Sequence, residues 1–243
     1  MAALTDLTNS VALITGASRG IGKSVASVLA HCGALVYIGA RSLDELRNVE
    51  HGLTANGCRA ASVKLDVSDE SSVGACFRRI ESEQGKLDVL INNAGIGSFG
   101  ELAQLSLEEF DHTMAVNLRG TFLCCRRAMQ MMVAHKSGYI INMSSVVGFK
   151  GYPRQSAYAA SKHAIMGLTK SLSVEAQPHN IRVSAVLPGG VDTDMVTRAR
   201  PDLDRPALLR PEDVAQAVLY LLSLSEYAAV DQIYLRRRNS APF

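Results

Sequence analysis

The sequence predicts an α/β fold: one doubly wound domain over residues 1–243, built on a seven-stranded parallel sheet with helices on both faces. Three observations lead there. Short β-branched runs alternate with longer stretches of helical periodicity along the chain, which implies right-handed strand–helix–strand crossovers. Helix-start signals fall where the periodicity places helices. No repeat, low-complexity tract or linker divides the chain.

Candidate strands are Val11–Thr15, Leu35–Ile38, Ala61–Leu65, Val89–Asn92, Tyr139–Met143, Arg182–Leu187 and Gln232–Leu235. Helical periodicity lies near 20–31, 43–55, 69–84, 107–135, 156–177 and 211–224. Ser106 stands three residues before Glu109, a capping-box spacing, and Pro211 suits a first helical turn. The stretch 188–210, with Pro188, Gly189, Gly190, Pro201 and Pro206, is too irregular for an ordinary connection and is expected to be a substrate loop.

Bulk properties narrow the function. The net charge of +2 argues against nucleic-acid or membrane binding through a global field. Arg236-Arg237-Arg238, the one basic cluster, reads as a solvated chain end. Residues 1–10 lack the basic and apolar regions of a secretory signal, and no apolar run approaches membrane-spanning length. Cys32, Cys58, Cys76, Cys124 and Cys125 are odd in number and lack metal-site spacing, so reduced thiols, a cytoplasmic location and no bound metal are expected.

The first strand runs into Thr15-Gly16-Ala17-Ser18-Arg19-Gly20-Ile21-Gly22, followed by a helix. Glycines allow a tight turn whose N–H groups approach a pyrophosphate, and the helix N-terminus adds partial positive charge. At the end of the second strand, NAD-selective enzymes usually carry an acid for the ribose 2′-hydroxyl. This chain has Arg41 instead, with Arg19 as a second clamp, so NADP(H) is the expected cofactor. Charge-assisted bonds of roughly 1.5–3 kcal/mol each would favour the 2′-phosphate by about tenfold or more.

Tyr158 and Lys162, four residues apart, share one helix face. A free phenol titrates near 10, too high for ready proton exchange at neutral pH. An ammonium about 5 Å away, at an effective dielectric of about 20, is worth about 3 kcal/mol, or roughly two pKa units. Lys162 and an oxidised nicotinamide would thus draw Tyr158 toward its working range. Ser145, at the carboxyl end of the fifth candidate strand, stands on the rim where parallel sheets bind ligands.

Taken in order, these pieces resemble the short single-domain short-chain dehydrogenases/reductases along nearly the whole chain. The resemblance rests on the Gly-rich turn, Asp66-Val67, Asn92-Asn93-Ala94-Gly95, Asn117, Ser145, Tyr158 with Lys162, and Pro188-Gly189. It implies a Rossmann sheet in the order 3-2-1-4-5-6-7 and hydride transfer between NADP(H) and a carbonyl or secondary alcohol. Tyr158 would be the proton donor in reduction, and Lys162 would hold the ribose hydroxyls and lower the phenol's pKa. Ser145 would bond the substrate oxygen, and Asn117 would hold a relay water. Gly16, Ser18, Arg19, Gly20, Ile21 and Gly22 would cradle the phosphates, with Arg41 beside them. Asp66 and Val67 would contact adenine, and Asn93, Ala94 and Gly95 the adenosine ribose. Pro188, Gly189, Val191 and Thr193 would adjoin the nicotinamide. A homodimer or homotetramer paired through the helices of Asn117 and Tyr158 is expected, with Met129, Met131 and Met132 on a buried face.

Two features depart from the family pattern. The ending Val230–Arg237 replaces a Gly-rich tail and looks like that of broad-specificity ketone and hydroxy-acid dehydrogenases, and the segment from Met195 to Pro211 is short for a lid. Gly189, Gly190, Met195, Val196, Val146 and Tyr152 are expected to line the pocket, whose small and apolar character points to a small-molecule substrate without high charge. The alternative in fatty-acid synthesis, 3-oxoacyl-acyl carrier protein reductase, needs basic docking residues, and the resembling positions hold only Lys136 and His179. An idle NADPH-binding sensor or scaffold is the alternative of another class; such proteins lose one of the four catalytic residues, all present here.

Overall fold

The computed structural model describes residues 5–199 and 204–241. Seven parallel strands form one sheet in the order β3-β2-β1-β4-β5-β6-β7. They are β1 (Val11–Thr15), β2 (Leu35–Ala40), β3 (Arg59–Lys64), β4 (Val89–Asn92), β5 (Gly138–Met143), β6 (Ile181–Pro188) and β7 (Gln232–Leu235). The helices are α1 (Gly20–His31), α2 (Leu43–Thr54), α3 (Glu70–Gln84), α4 (Leu107–Met114), α5 (Gly120–His135), α6 (Ser156–Ala176), α7 (Asp194–Ala199) and α8 (Pro211–Ser223).

Strand alternation sends successive side chains to opposite faces, and two cores result. Ala12, Ile14, Val36 and Ile38 meet Val25 and Leu29 of α1, Leu46 of α2, and Val214 and Leu221 of α8. Val11, Leu13, Tyr37 and Leu90 meet Phe77 and Ile80 of α3, Cys124 and Met132 of α5, and Leu172 of α6. The strand order reverses at β1 and β4, which opens a crevice beyond their carboxyl ends.

Several boundaries differ from the sequence reading. β2 extends to Ala40 because Gly39 and Ala40 pair with Val63 and Lys64, and the same register starts β3 at Arg59. The segment read as one helix over 107–135 is interrupted by a π-helical turn, Ala115–Arg119. The stretch 188–210 contains α7 and a 3₁₀ turn, Arg205–Ala207, and Val191 bridges Leu209 at its base; residues 200–203, including Pro201, lie outside the described residues.

The Ser106 hydroxyl caps α4 by accepting from the Glu109 N–H at 3.1 Å, but the reciprocal half of the box is absent: the Glu109 carboxylate instead takes the Ser98 hydroxyl at 2.9 Å. Pro211 does open α8. All five cysteines are free; Cys76, Cys124 and Cys125 are buried, Cys32 and Cys58 half-buried. Met131 and Met132 are buried in this chain's own core, with Met129 packed against it. The basic tail is not a wholly solvated end, because Arg236 and Arg237 are half-buried and only Arg238 is exposed. Among the described residues, no helix is long and apolar enough to cross a membrane.

Candidate active site

The Gly-rich turn is held open by the residues around it. Thr15 is 1% exposed, and its Oγ1 accepts the N–H groups of Asn93 at 3.0 Å and Ala94 at 2.9 Å, locking the ends of β1 and β4 together. The Asn93 amide donates back to the carbonyls of Thr15 and Gly16 at 2.9 and 3.0 Å. Gly16 and Gly20 have φ of +65° and +55°, where a side chain would be strained. A Cβ on Gly16 would also approach the Ala94 Cα to 2.8 Å, and one on Gly22 would strike the Gly16 carbonyl. The N-cap of α1, Arg19, makes no side-chain capping bond. The first-turn N–H groups of α1 therefore remain available to an anion.

A cleft of about 1130 Å³ runs from this turn to the base of α6. Gly16, Ser18, Arg19, Gly20 and Ile21 line one end, with Arg41, Asp66 and Val67 alongside; Asn93, Ala94 and Gly95 line the middle, and Tyr158, Lys162 and Pro188 the far end, while Thr193 also lines the cleft next to Gly20. Gly22 and Val191 do not line it. Gly22 is packed behind the turn, and Val191 is 2% exposed. Asn117 is buried beneath the cleft, while Ser145 and Gly189 are half-buried next to the lining residues Ser144 and Pro188.

Arg41 is exposed and makes no hydrogen bond or ion pair among the described residues. Arg19 is less free, with Glu45 at 3.9 Å and Asp194 at 3.7 Å. The Asp66 carboxylate accepts the N–H and hydroxyl of Ser68 at 3.0 and 2.6 Å, which fixes the turn after β3.

At the far end, the Lys162 Nζ lies 5.8 Å from the centre of the Tyr158 ring and donates to the Met143 carbonyl at 2.8 Å. Burial lowers the Lys162 pKa to about 8. Burial also raises the Tyr158 phenol above its ordinary value, and a hydrogen bond with Ser145 draws it partly back. In the protein alone, desolvation is the dominant influence on this phenol. The Ser145 hydroxyl donates to the Pro188 carbonyl at 3.4 Å. Asn117 lies in the π turn, a geometry frequent at functional sites. Its Oδ1 accepts the Ile96 N–H at 2.8 Å, and its Nδ2 donates to the Ile96 carbonyl at 2.9 Å and to Ser161 at 3.0 Å.

The sequence matches the family described as short chain dehydrogenase over residues 10–204. The chain belongs to the short-chain dehydrogenase family. As a member it is an oxidoreductase. It is similar to a 3-oxoacyl-[acyl-carrier-protein] reductase of a Synechocystis species, 38% identical over 90% of this chain and 91% of the relative. A short-chain dehydrogenase/reductase of Mycobacterium marinum superimposes with a TM-score of 0.90 at 35% identity, covering 98% of each chain. An alcohol dehydrogenase of Thermococcus sibiricus, solved with 5-hydroxy-NADP, gives 0.89 at 33% identity, covering 96% of this chain and 99% of that one.

Within this short-chain dehydrogenase, the structure adds residues that the sequence reading missed. Phe99 lines the cleft and packs its ring against Tyr158, centroids 5.9 Å apart and tilted by 53°. Ser161 links Asn117 to α6 by donating to the Tyr158 carbonyl at 2.7 Å. Beneath both runs a polar network: Asn92 donates to Asn142 at 2.8 Å, and Asn142 to Thr169 at 2.9 Å. Apart from Ser161 to Tyr158, one turn apart in α6, these contacts join elements distant in the chain, so spacing carries no signal for them.

Proposed function

We propose that this protein transfers hydride between NADP(H) and a carbonyl or secondary alcohol of a small molecule. The observation that carries the reading is the convergence of Tyr158, Ser145 and Lys162 at one end of the cleft, opposite an uncapped helix N-terminus. The chain fits the cofactor: Gly20 and Ile21 line the cleft at an uncapped helix start that suits phosphates, and Arg41, a cation unpaired among the described residues, also lines it where a 2′-phosphate would lie. The 5-hydroxy-NADP in the Thermococcus sibiricus enzyme supports the same choice. When bound, the nicotinamide supplies the hydride in reduction and takes it up in oxidation.

Ser145 and Tyr158 orient the substrate oxygen. In reduction the Tyr158 O–H gives its proton to that oxygen as hydride reaches the carbon. Lys162 uses one N–H on the Met143 carbonyl, which leaves two for ribose hydroxyls. The Asn117 side chain is occupied by Ile96 and Ser161, so a relay water would rest on its main-chain carbonyl, which also takes the Thr121 hydroxyl at 2.7 Å. We assign Gly16, Ser18, Arg19, Gly20 and Ile21 to the phosphates, with Gly22 shaping the turn behind them, Asp66 and Val67 to adenine, Asn93 to Gly95 to the ribose side, and Pro188, Gly189, Val191 and Thr193 to the nicotinamide side.

A second reading, 3-oxoacyl-[acyl-carrier-protein] reduction, draws on the Synechocystis relative and on the exposed Lys136, whose carbonyl takes the Asn180 amide at 3.2 Å next to His179. We take the chain to be a single cytoplasmic domain, on its free thiols, and a homo-oligomer; the patch formed by Met114, Leu118, 48%-exposed Phe122 and Leu168 supports a subunit contact.

The test is oxidation of NADPH and of NADH against ketones, aldehydes and acetoacetyl thioesters, by wild type and by Tyr158→Phe. Wild type is expected to use NADPH, and the variant to bind it equally while turnover falls by about 10²–10⁴-fold. Undiminished turnover by the variant refutes this mechanism, and NADPH binding without turnover of any acceptor favours the idle binder.

A further inference from the structure

The Arg236-Arg237-Arg238 motif takes no part in the function argued so far, yet Arg236 and Arg237 are half-buried against Gly189 and Gly190, the residues that follow the cleft-lining Pro188. β7 pairs with β6 so that Leu187 and Pro188 lie beside Tyr234 and Leu235, and the Gly189 N–H donates to the Leu235 carbonyl at 2.7 Å. The tail thus leaves the sheet beside Pro188, whose carbonyl takes the Ser145 hydroxyl.

The two arginines then differ. Arg236 is a brace, with its guanidinium donating to the carbonyls of Arg237, Arg238 and Ser240 at 3.3, 3.1 and 2.7 Å. Ser240 returns its N–H and hydroxyl to the Arg237 carbonyl at 3.0 and 2.9 Å. Arg237 is therefore fixed at its backbone, and its side chain crosses Gly190: a Cβ there would lie 3.7 Å from the Arg237 Cδ and 3.8 Å from its Nε. Its guanidinium makes no hydrogen bond or ion pair among the described residues. The carboxylate two residues beyond Gly190, Asp192, is already held by Arg205 at 2.6 Å.

We propose that Arg237 is a specificity-determining residue that receives an oxyanion at the far end of an oxo substrate. The inference rests on the carbonyl-reductase reading above. It revises the expectation of a substrate without high charge, which counted Gly189, Gly190, Met195, Val196, Val146 and Tyr152 but not the arginine lying across Gly190. A half-buried, unpaired guanidinium on a braced backbone forms charge-assisted bonds with little reorganisation. A carboxylate of a free oxo acid and a phosphate of a pantetheine 4′-phosphate thioester share this chemistry.

The test compares kcat/KM for oxo acids and their methyl esters over a range of chain lengths, and for pantetheine 4′-phosphate thioesters beside unphosphorylated ones. Wild type is expected to prefer the anions. Arg237→Gln should lower kcat/KM for anions by about tenfold or more, mainly through KM, while esters change by less than about twofold. Arg237→Lys should recover part of the loss, and added salt should raise KM for anions alone. Loss confined to oxo acids identifies a carboxylate; loss confined to phosphorylated thioesters identifies a phosphate. Equal effects on charged and neutral partners overturn the assignment while leaving the reductase reading intact. Failure to reduce either series overturns both.

Discussion

Single residues carry the cofactor argument unequally. Arg41 has no partner among the described residues, whereas Arg19, 65% exposed, already faces Glu45 and Asp194. A phosphate competing for Arg19 must displace carboxylates, so Arg41 contributes more to discrimination. Arg41→Ala is expected to weaken NADPH by about tenfold or more with NADH unchanged, and Arg19→Ala by only a few-fold. Fluorescence titration with both cofactors checks this, and equal losses for NADPH and NADH would remove Arg41 from the 2′-phosphate. At this scale the motif residues were legible because their chemistry needs those side chains. Phe99, Ser161 and Arg237 were not, because each acts on a neighbour that only folding supplies.

At the scale of elements, the helix segment over 107–135 ties the cleft to the core. Gly120, where α5 begins, has no room for a side chain: a Cβ would approach Val67 Cγ2 to 2.7 Å and the Val67 carbonyl to 3.1 Å. Two effects oppose one another in Gly120→Ala, since overpacking costs about 1–3 kcal/mol and helix propensity returns up to about 1 kcal/mol. Overpacking against backbone should win, lowering the thermal midpoint by about 2–4 °C for each kcal/mol of net loss. Adenine affinity should fall with it, because Val67 lines the cleft. A raised midpoint would mean that Val67 moves aside. The helix was legible from its periodicity, but the π turn was not: one inserted residue shifts the register without altering composition.

Across the whole molecule, buried thiols set the alkaline limit. Burial pushes Cys76 and Cys125 up to about 12 and Cys124 well above its ordinary 9.0. A raised folded pKa gives stability that is complete below about pH 9 and is lost as pH climbs toward the folded value. Lys162 acts oppositely: lowered to about 8 from 10.5, it adds stability across that interval and nothing above it. Three thiols at about 1.4 kcal/mol per unit outweigh one lysine beyond about pH 10. Urea midpoints are expected to hold from pH 7 to 9 and to fall steeply above 10. Cys76→Ala should be less stable at pH 8 yet lose less on going to pH 11, and an equally steep fall in that variant would exclude Cys76 from the effect.

The sequence by itself determined the sheet, the position of the Gly-rich turn after β1 and the choice of Tyr158, Lys162, Ser145 and Asn117 as candidate site residues. Alternation, periodicity and fixed-offset motifs are local properties, written over a few residues and preserved in any fold that satisfies them. Tertiary structure decided how those residues are electrostatically placed. It put Lys162 on the Met143 carbonyl, gave both sides of the Asn117 amide to Ile96 and Ser161, and set carboxylates beside Arg19 while leaving Arg41 without an ion pair among the described residues. It also carried the basic tail to Gly190, 47 residues away in the chain. Desolvation and pairing depend on what packs against a group from distant segments, and no spacing within one segment encodes that.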